Sequence, residues 1–493
     1  MTIETEQKQL SLTRQTAFLV IGRTYASLCF FLTYVFLSHM MSTSDYGLYR
    51  QVWLVYNTLA PVFLFGIPAT VAYFVPLLSG QKKRRFIGQT GILLAMQGLC
   101  LSLLLFFAAP AIAVLFSNPH LLFAIRAFAF FPVAFFPLSM IDSLLVCAGE
   151  ANRSAAFAIA IATVQTLAVV LSIFFRAGIE RTFFVLVLSV GTAALGTYLY
   201  LKRRFHIDSI RIDQKLLKEQ VGYGASIGLG ASIGILGSTV DKWIIAAFFT
   251  ADQFAVYSNG AFQLPFLGII TGSVMTVLTP AMVLAHARGD SGQVKNMWHL
   301  SAYRVALLML PIFCFMFAYA KDLLILFFGQ AYSASTDIFR INLLTLPLRI
   351  VVYSTLFRAI AQTRYIFFGA LQTFLLSTAL SFILVYTVGF TGPAIASVIS
   401  AVYLMVYYNV KICGLMKWKL RELFPWKSLS KAMACGCLAG LVSRLITSVE
   451  PISGLGGVGV VSIGVGLFIA VYAITLPAVD PSVVQHVRAI ARL

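Results

Sequence analysis

The sequence predicts an all-α polytopic membrane protein: about 14 transmembrane helices in two six-helix lobes plus a C-terminal helix pair, with cytoplasmic N- and C-termini. Three observations predict it. Of the 493 residues, 60% are hydrophobic and only 11% charged, and the mean hydropathy is +0.90. A soluble fold of this size needs more polar surface to face water. Apolar runs of about 20 residues, the length that crosses a bilayer core of about 30 Å, recur along the whole chain. Basic residues then gather in alternate connections between those runs. A β-barrel would show ten-residue alternating segments, and none appear. Helices remain, because in lipid each must satisfy its own backbone.

The expected spans are 15–39, 48–76, 86–116, 121–147, 155–175, 183–201, 221–249, 256–284, 300–319, 337–358, 366–388, 394–410, 429–448 and 458–477. The polar MTIETEQKQLSLTRQ ahead of the first run, and the length of that run, predict a retained helix rather than a cleaved signal peptide. With the N-terminus inside, and Arg358 and Lys431 at span edges counted as inside, the inner segments carry 25 Lys and Arg, including KKRR at 82–85 and KRR at 202–204. The outer loops carry three, Arg176, Arg181 and Lys321. This asymmetry orients the chain.

Domains follow from the same count. Residues 1–204 form an N-terminal lobe of spans one to six, and 205–220 an interfacial cytoplasmic linker helix. Residues 221–410 form a C-terminal lobe of spans seven to twelve, and 411–493 hold the two extra spans and an amphipathic cytoplasmic tail. The net charge of +19 therefore reports topology and contact with anionic lipid, not nucleic acid. The seven cysteines sit in or beside apolar runs as small hydrophobes, and Cys435 and Cys437 lack a second ligand pair. No metal or other cofactor is expected.

An internal repeat supports two lobes. TSDYGLY at 43–49 resembles TADQFAVY at 250–257, with Thr43, Asp45 and Tyr49 opposite Thr250, Asp252 and Tyr257 and one inserted residue. The offset covers six spans, an even number, so the halves enter the membrane from the same side.

Charges inside spans are few enough to take singly, because each is costly in lipid. Arg23 lies about two turns inside the first run and is read as facing a cavity. For Arg50, just inside the second, snorkelling and a cavity role both stand. For Arg126, five or six residues into the fourth span, outward snorkelling and a cavity role both stand. Asp241 and Lys242 lie about two turns inside the seventh, about 100° apart on the helix. Arg349 is near the middle of the tenth, with Asn342 within about 20° on a continuous α-helix and Pro347 loosening the turn between. Asp142, near the inner end of the fourth span, is read most simply as a satisfied polar residue. Arg304 and Arg340, near span ends, are read as snorkelling, and Arg444 lies outside the two lobes. Arg23, Arg50, Arg126, Lys242, Asn342 and Arg349 are the candidate substrate-binding residues, and Asp241 and Asp142 the candidates for ion coupling. At 14% aromatic content most aromatics are read as packing, with Tyr25, Tyr49, Trp53 and Tyr257 the candidates to stack on a substrate.

Several stretches resemble one known family. The opening hairpin with Arg23, DYGLYRQ at 45–51 and GIPATVAYFVP at 66–76, and the seventh span running into DKWIIAAFFTADQFAVYSNG at 241–260, are similar to bacterial oligosaccharide flippases of the polysaccharide transporter family. These belong to the multidrug/oligosaccharidyl-lipid/polysaccharide exporter superfamily. The resemblance implies twelve core spans, two extra ones and flipping of an undecaprenyl-diphosphate-linked oligosaccharide across the bacterial inner membrane, for O-antigen, capsule or exopolysaccharide export. It also implies a polysaccharide polymerase and a chain-length regulator as partners beside membrane lipids. Relatives that move the lipid-linked peptidoglycan precursor carry arginines in their first two spans, where Arg23 and Arg50 lie. A diphosphate carries about two negative charges, and a guanidinium fork matches its oxygens.

Other readings are a peptidoglycan-precursor flippase or a multidrug exporter of the same superfamily. A membrane polymerase or ligase is disfavoured because no large outer loop is present. No HExxH, Walker loop or nucleophile elbow appears, so no enzymatic activity is expected.

Overall fold

The computed structural model describes residues 3–206, 212–262, 265–450 and 452–481. Among these there is no β-strand. Twelve helical stretches are long and apolar enough to cross a membrane, and a pair bent by 42°, Leu121–Phe128 with Phe131–Cys147, makes thirteen if taken as one span. The remaining expected span, 256–284, falls on α11 and α12, and many side chains of α12 lie outside the described residues. The tail helix expected near the C-terminus lies largely outside them too, in 482–493.

The chain packs as two units, Met1–Ala255 and Val256–Leu493. The first holds α1 (Ile3–Met40), α2 (Thr43–Leu64), α3 (Ile67–Leu77), α4 (Gly80–Leu115), α5 (Leu121–Phe128), α6 (Phe131–Leu138), α7 (Ile141–Cys147), α8 (Ala151–Phe174), α9 (Ile179–Phe205) and α10 (Gln214–Phe248), and the chain leaves it within α11 (Ala251–Gly260). The second holds α12 (Pro265–Ala287), α13 (Ser291–Ala318), α14 (Ala320–Phe328), α15 (Ser335–Leu343), α16 (Tyr353–Ala359), α17 (Arg364–Thr387), α18 (Gly392–Met416), α19 (Trp426–Thr447) and α20 (Gly456–Val479). In the first unit α1 packs on α8, and in the second α19 packs on both α13 and α20. Large apolar side chains point outward, as lipid permits: Phe107 is 74% exposed and Val114 79%.

Besides the eighth, divided between α11 and α12, three expected spans are broken among the described residues, each for a local reason. Span two bends between α2 and α3, where Pro61 sits inside the helix and Phe65 and Gly66 are both left-handed, at φ 48° and 72°. Span four breaks at Ala129–Phe130, ahead of Pro132 at the start of α6. Span ten breaks between α15 and α16. There Thr345, Leu346 and Arg349 donate their amides three residues back, to Asn342, Leu343 and Leu346, and Pro347 has no amide to give. The tenth span is therefore not one continuous helix, and the shared face expected for Asn342 and Arg349 does not follow.

α10, placed by sequence in the C-terminal lobe, belongs to the first unit. Glycines bring it backbone to backbone with the α2–α3 bend. A methyl on Gly228 would sit 2.4 Å from the Phe65 carbonyl carbon, and one on Gly66 2.3 Å from the Gly224 carbonyl oxygen. Two small residues four apart on one helix permit this approach. A buried polar clasp adds direction. Gln220 Nε2 donates to Thr70 Oγ1 (3.0 Å) and Thr90 Oγ1 (2.9 Å), and Gln89 Nε2 donates to Gln220 Oε1 (3.4 Å). Asp213 caps α10 by accepting from the amides of Lys215 and Leu216, so 214–220 opens that helix rather than forming a separate linker. Residues 207–211 of the expected linker lie outside the described residues.

Capping also resets the repeat. Ser42 Oγ accepts from the Asp45 amide at 3.1 Å, and Thr250 Oγ1 accepts from the Gln253 amide at 3.4 Å. Equating Ser42 with Thr250 pairs Asp45 with Gln253 and Tyr49 with Tyr257 at a constant offset of 208, and the inserted residue disappears. The two motifs also touch. Thr43 Oγ1 donates to Asp252 Oδ1, and the Ala251 carbonyl oxygen lies 2.0 Å from where a methyl on Gly47 would be.

Candidate functional site

In the first unit, Arg23 of α1 and Asp142 of α7 meet. Arg23 Nη2 lies 2.5 Å from Asp142 Oδ2, and Ser154 Oγ of α8 donates to Asp142 Oδ1 at 2.5 Å. The pair is open, with side chains 65% and 45% exposed. Gly22 lets α1 approach α8 here, since a methyl on it would lie 2.9 Å from Ala155 Cα. A candidate phosphate ligand and a candidate ion-coupling acid thus form one ion pair, 119 residues apart in sequence.

Arg50 is packed against two tyrosine rings. Its guanidinium carbon lies 4.4 Å from the Tyr34 ring centroid and 5.6 Å from that of Tyr46, whose hydroxyl accepts from Nη1 at 2.8 Å. Ring faces stabilise a desolvated cation. The constant offset places Ser258 opposite Arg50, so this cation belongs to the first repeat alone. Asp241 is 4% exposed and Lys242 half-buried, beside Trp243, whose indole Nε1 donates to Thr58 Oγ1 at 2.9 Å.

Arg126 of α5 has its guanidinium carbon 5.2 Å from the Phe106 ring centroid of α4, and its ε-nitrogen is buried without an acceptor. In the second unit, Asn342 returns its amide to the Ile338 carbonyl at 3.0 Å, an internal bond of α15. Arg349 is exposed, in the break between α15 and α16. Two arginines that sequence reading set aside share the buried, acceptor-free ε-nitrogen, Arg304 and Arg340, as does Arg85. Depth along a span cannot reveal an unpaired N–H, so only the packing exposes them. By contrast, Arg444 donates to Asp322 at 2.7 Å.

The aromatic candidates for sugar stacking are mostly core. Tyr49 stacks on Phe183 at 5.1 Å, Trp53 packs edge-on against Phe128 and Phe131, and Tyr257 is fully buried. Tyr25 is exposed. Among the described residues no three His, Cys, Asp or Glu converge as a metal site.

Residues 12–286 match the family described as polysaccharide biosynthesis protein. The chain belongs to that family. No curated protein matches. Solved structures do, at identities that establish the fold alone. The chain is similar to the lipid II flippase MurJ in an inward closed conformation, at TM-score 0.74 and 15% identity, over 94% of this chain and 99% of that one. It is also similar to an inward-facing multidrug resistance MATE transporter of the MOP superfamily, at TM-score 0.64 and 14% identity, over 81% and 99%. A third match is a MOP superfamily transporter from Pyrococcus furiosus, at TM-score 0.57 and 16% identity, over 83% and 96%. The polysaccharide biosynthesis family member described here is thus a polytopic helical membrane protein with the fold these transporters share.

Proposed function

We propose that this protein flips an undecaprenyl-diphosphate-linked oligosaccharide from the cytoplasmic to the outer leaflet of the bacterial inner membrane, by alternating access through a cationic cavity and without chemical turnover. Membership of a polysaccharide biosynthesis family carries the reading, joined to a transporter fold and to membrane-depth cations that outnumber acids. Arg23, Arg50, Arg126, Lys242 and Arg349 are the proposed contacts to the diphosphate, with Asn342 a polar contact beside them. Several weak cationic contacts favour release over one tight site. The membrane potential favours outward movement of two negative charges by roughly 4–5 kcal/mol per 100 mV, which is one proposed driving force. Asp241 and Asp142 are the proposed groups if proton or sodium movement contributes. The product feeds O-antigen, capsule or exopolysaccharide assembly, with a polymerase and chain-length regulator as partners.

A peptidoglycan-precursor flippase is the second reading. It is favoured by the broader match to the lipid II flippase than to the multidrug transporters, 94% against 81% of this chain. A multidrug exporter follows from the shared fold alone. The test is complementation of strains lacking either flippase, beside flipping of purified lipid-linked oligosaccharide in proteoliposomes. Rescue of the oligosaccharide-flippase strain, abolished by Arg349→Ala at normal protein abundance, is expected. Rescue of the peptidoglycan-precursor strain alone moves the assignment to the second reading.

A further inference from the structure

Each unit carries one arginine held in the same way. Arg126 is the sixth residue of α5 and Arg340 the sixth of α15. These helices open the fourth and tenth spans, six apart, as the repeat requires. From the first residue to the seventh their burial agrees at every position but the second, with Ala124 and Ile125 buried as are Ile338 and Phe339. Each guanidinium lies over a phenylalanine of the preceding long helix, Arg126 at 5.2 Å from the Phe106 centroid and Arg340 at 5.8 Å from that of Phe317. Each ε-nitrogen is buried with no acceptor, and among the described residues neither arginine makes an ion pair. Asp337, one turn before Arg340, is not paired with it.

We propose that Arg126 and Arg340 are matching phosphate sites, one in each unit, each taking a phosphate group of a lipid-linked diphosphate at the outer end of its own span. The proposal rests on the flippase reading and on the topology that places those ends outside. A ring face steadies the buried cation yet consumes none of its five N–H donors. The fork stays free for planar oxygen pairs, which phosphate supplies and a neutral sugar or cationic drug does not. Arg444 provides the contrast. It also lies over a ring, Tyr319 at 5.3 Å, but its charge is paired within the fold, Nη1 donating to Asp322. Arg85 and Arg304 share the unpaired nitrogen without the matched register.

The test measures binding of undecaprenyl diphosphate to the full chain in nanodiscs of neutral lipid. Arg126→Gln and Arg340→Gln are each expected to weaken binding on the order of tenfold or more, with Lys variants in between and Arg444→Gln unchanged. Independently of any variant, bound undecaprenyl diphosphate should protect Arg126 and Arg340 of the wild-type protein from dicarbonyl modification, read by mass spectrometry. Tight binding with neither arginine protected overturns this proposal and leaves the flippase reading intact. No binding by the wild-type protein overturns both. Equal protection by phosphatidylglycerol without the diphosphate assigns the pair to bulk anionic lipid and also overturns it.

Discussion

Arg23 and Asp142 form an ion pair at 2.5 Å between α1 and α7, and both side chains remain substantially exposed, at 65% and 45%. An open pair of this kind contributes about 0–1 kcal/mol to stability. If Arg23 binds substrate as proposed, an incoming diphosphate would compete with Asp142 for the same fork. Arg23→Ala should lower flipping at least tenfold while leaving thermal unfolding within a few degrees. A double-mutant cycle with Asp142→Asn should give a stability coupling below about 1 kcal/mol. A coupling of several kcal/mol would make the pair a structural strut instead.

The Gln220 clasp behaves oppositely. It is fully buried, and Gln220→Leu leaves Gln89 Nε2 without its acceptor and removes the donor to Thr70 and Thr90, which keep their own bonds to the Ile67 and Phe86 carbonyls. Each orphaned buried group costs about 1–3 kcal/mol. The variant should unfold at clearly lower temperature in detergent, by more than Gln89→Leu does. An unchanged melting curve would show the clasp to be wet.

Two glycines on α10 should respond with opposite signs. A methyl at Gly228 meets backbone at 2.4 Å, whereas nothing lies within 4 Å of one at Gly230. Gly228→Ala should cost about 1–3 kcal/mol or more, because backbone cannot yield as a side chain does. Gly230→Ala should be neutral or stabilising by up to about 1 kcal/mol through helix propensity. Thermal shift of the two purified variants decides it.

Glu150 joins α8 to α9 by accepting from Arg204 at 2.5 Å and Arg153 at 2.9 Å. The hydrogen bond from Arg204, foremost, holds its carboxyl below the usual value of 4.5. A carboxyl depressed in the folded state contributes stability that is present above pH 4.5 and lost as pH falls through its lower folded value. Stability measured from pH 6 down to pH 3 should therefore fall, and Glu150→Gln should flatten the part of that fall lying below about 4.5. An identical profile in the variant would remove Glu150 from the linkage.

Orientation can be read by labelling. Cysteines at Ser44 and Val388, both exposed, should react with impermeant reagents from outside, and those at Lys83 and Lys215 only after lysis. Val388 is preferable to the neighbouring Gly392, where a methyl would lie 2.2 Å from the Leu384 carbonyl oxygen. Reversed labelling would invert the topology on which the outer phosphate sites depend.

What the sequence made legible was set by one-dimensional signals. Long apolar runs located the helices because lipid forces each to be self-sufficient. Pro347 announced a weakened tenth span, but a proline alone does not say whether a helix bends or stops, so the shared face inferred for Asn342 and Arg349 failed. The repeat was visible, yet its register was off by one until the caps of Ser42 and Thr250 fixed it. Arg23 and Asp142 appeared as separate candidates because nothing local links residues on α1 and α7. Arg340 was passed over for its nearness to a span end, whereas the buried ε-nitrogen beside Phe317 is a property of packing.

The length of α10 has a mechanical consequence. Its 35 residues extend about 52 Å, longer than a hydrocarbon layer of about 30 Å. The glycine crossing at Gly228 divides it into arms of about 21 Å and about 30 Å. A rigid 10° swing about that fulcrum carries the two ends about 4 Å and about 5 Å in opposite directions. Gln220 grips the shorter arm, and just past the end of the longer one Asp252 is held by Thr43. A seesaw fastened at both ends cannot tip, so any stroke of α10 begins by letting go of one.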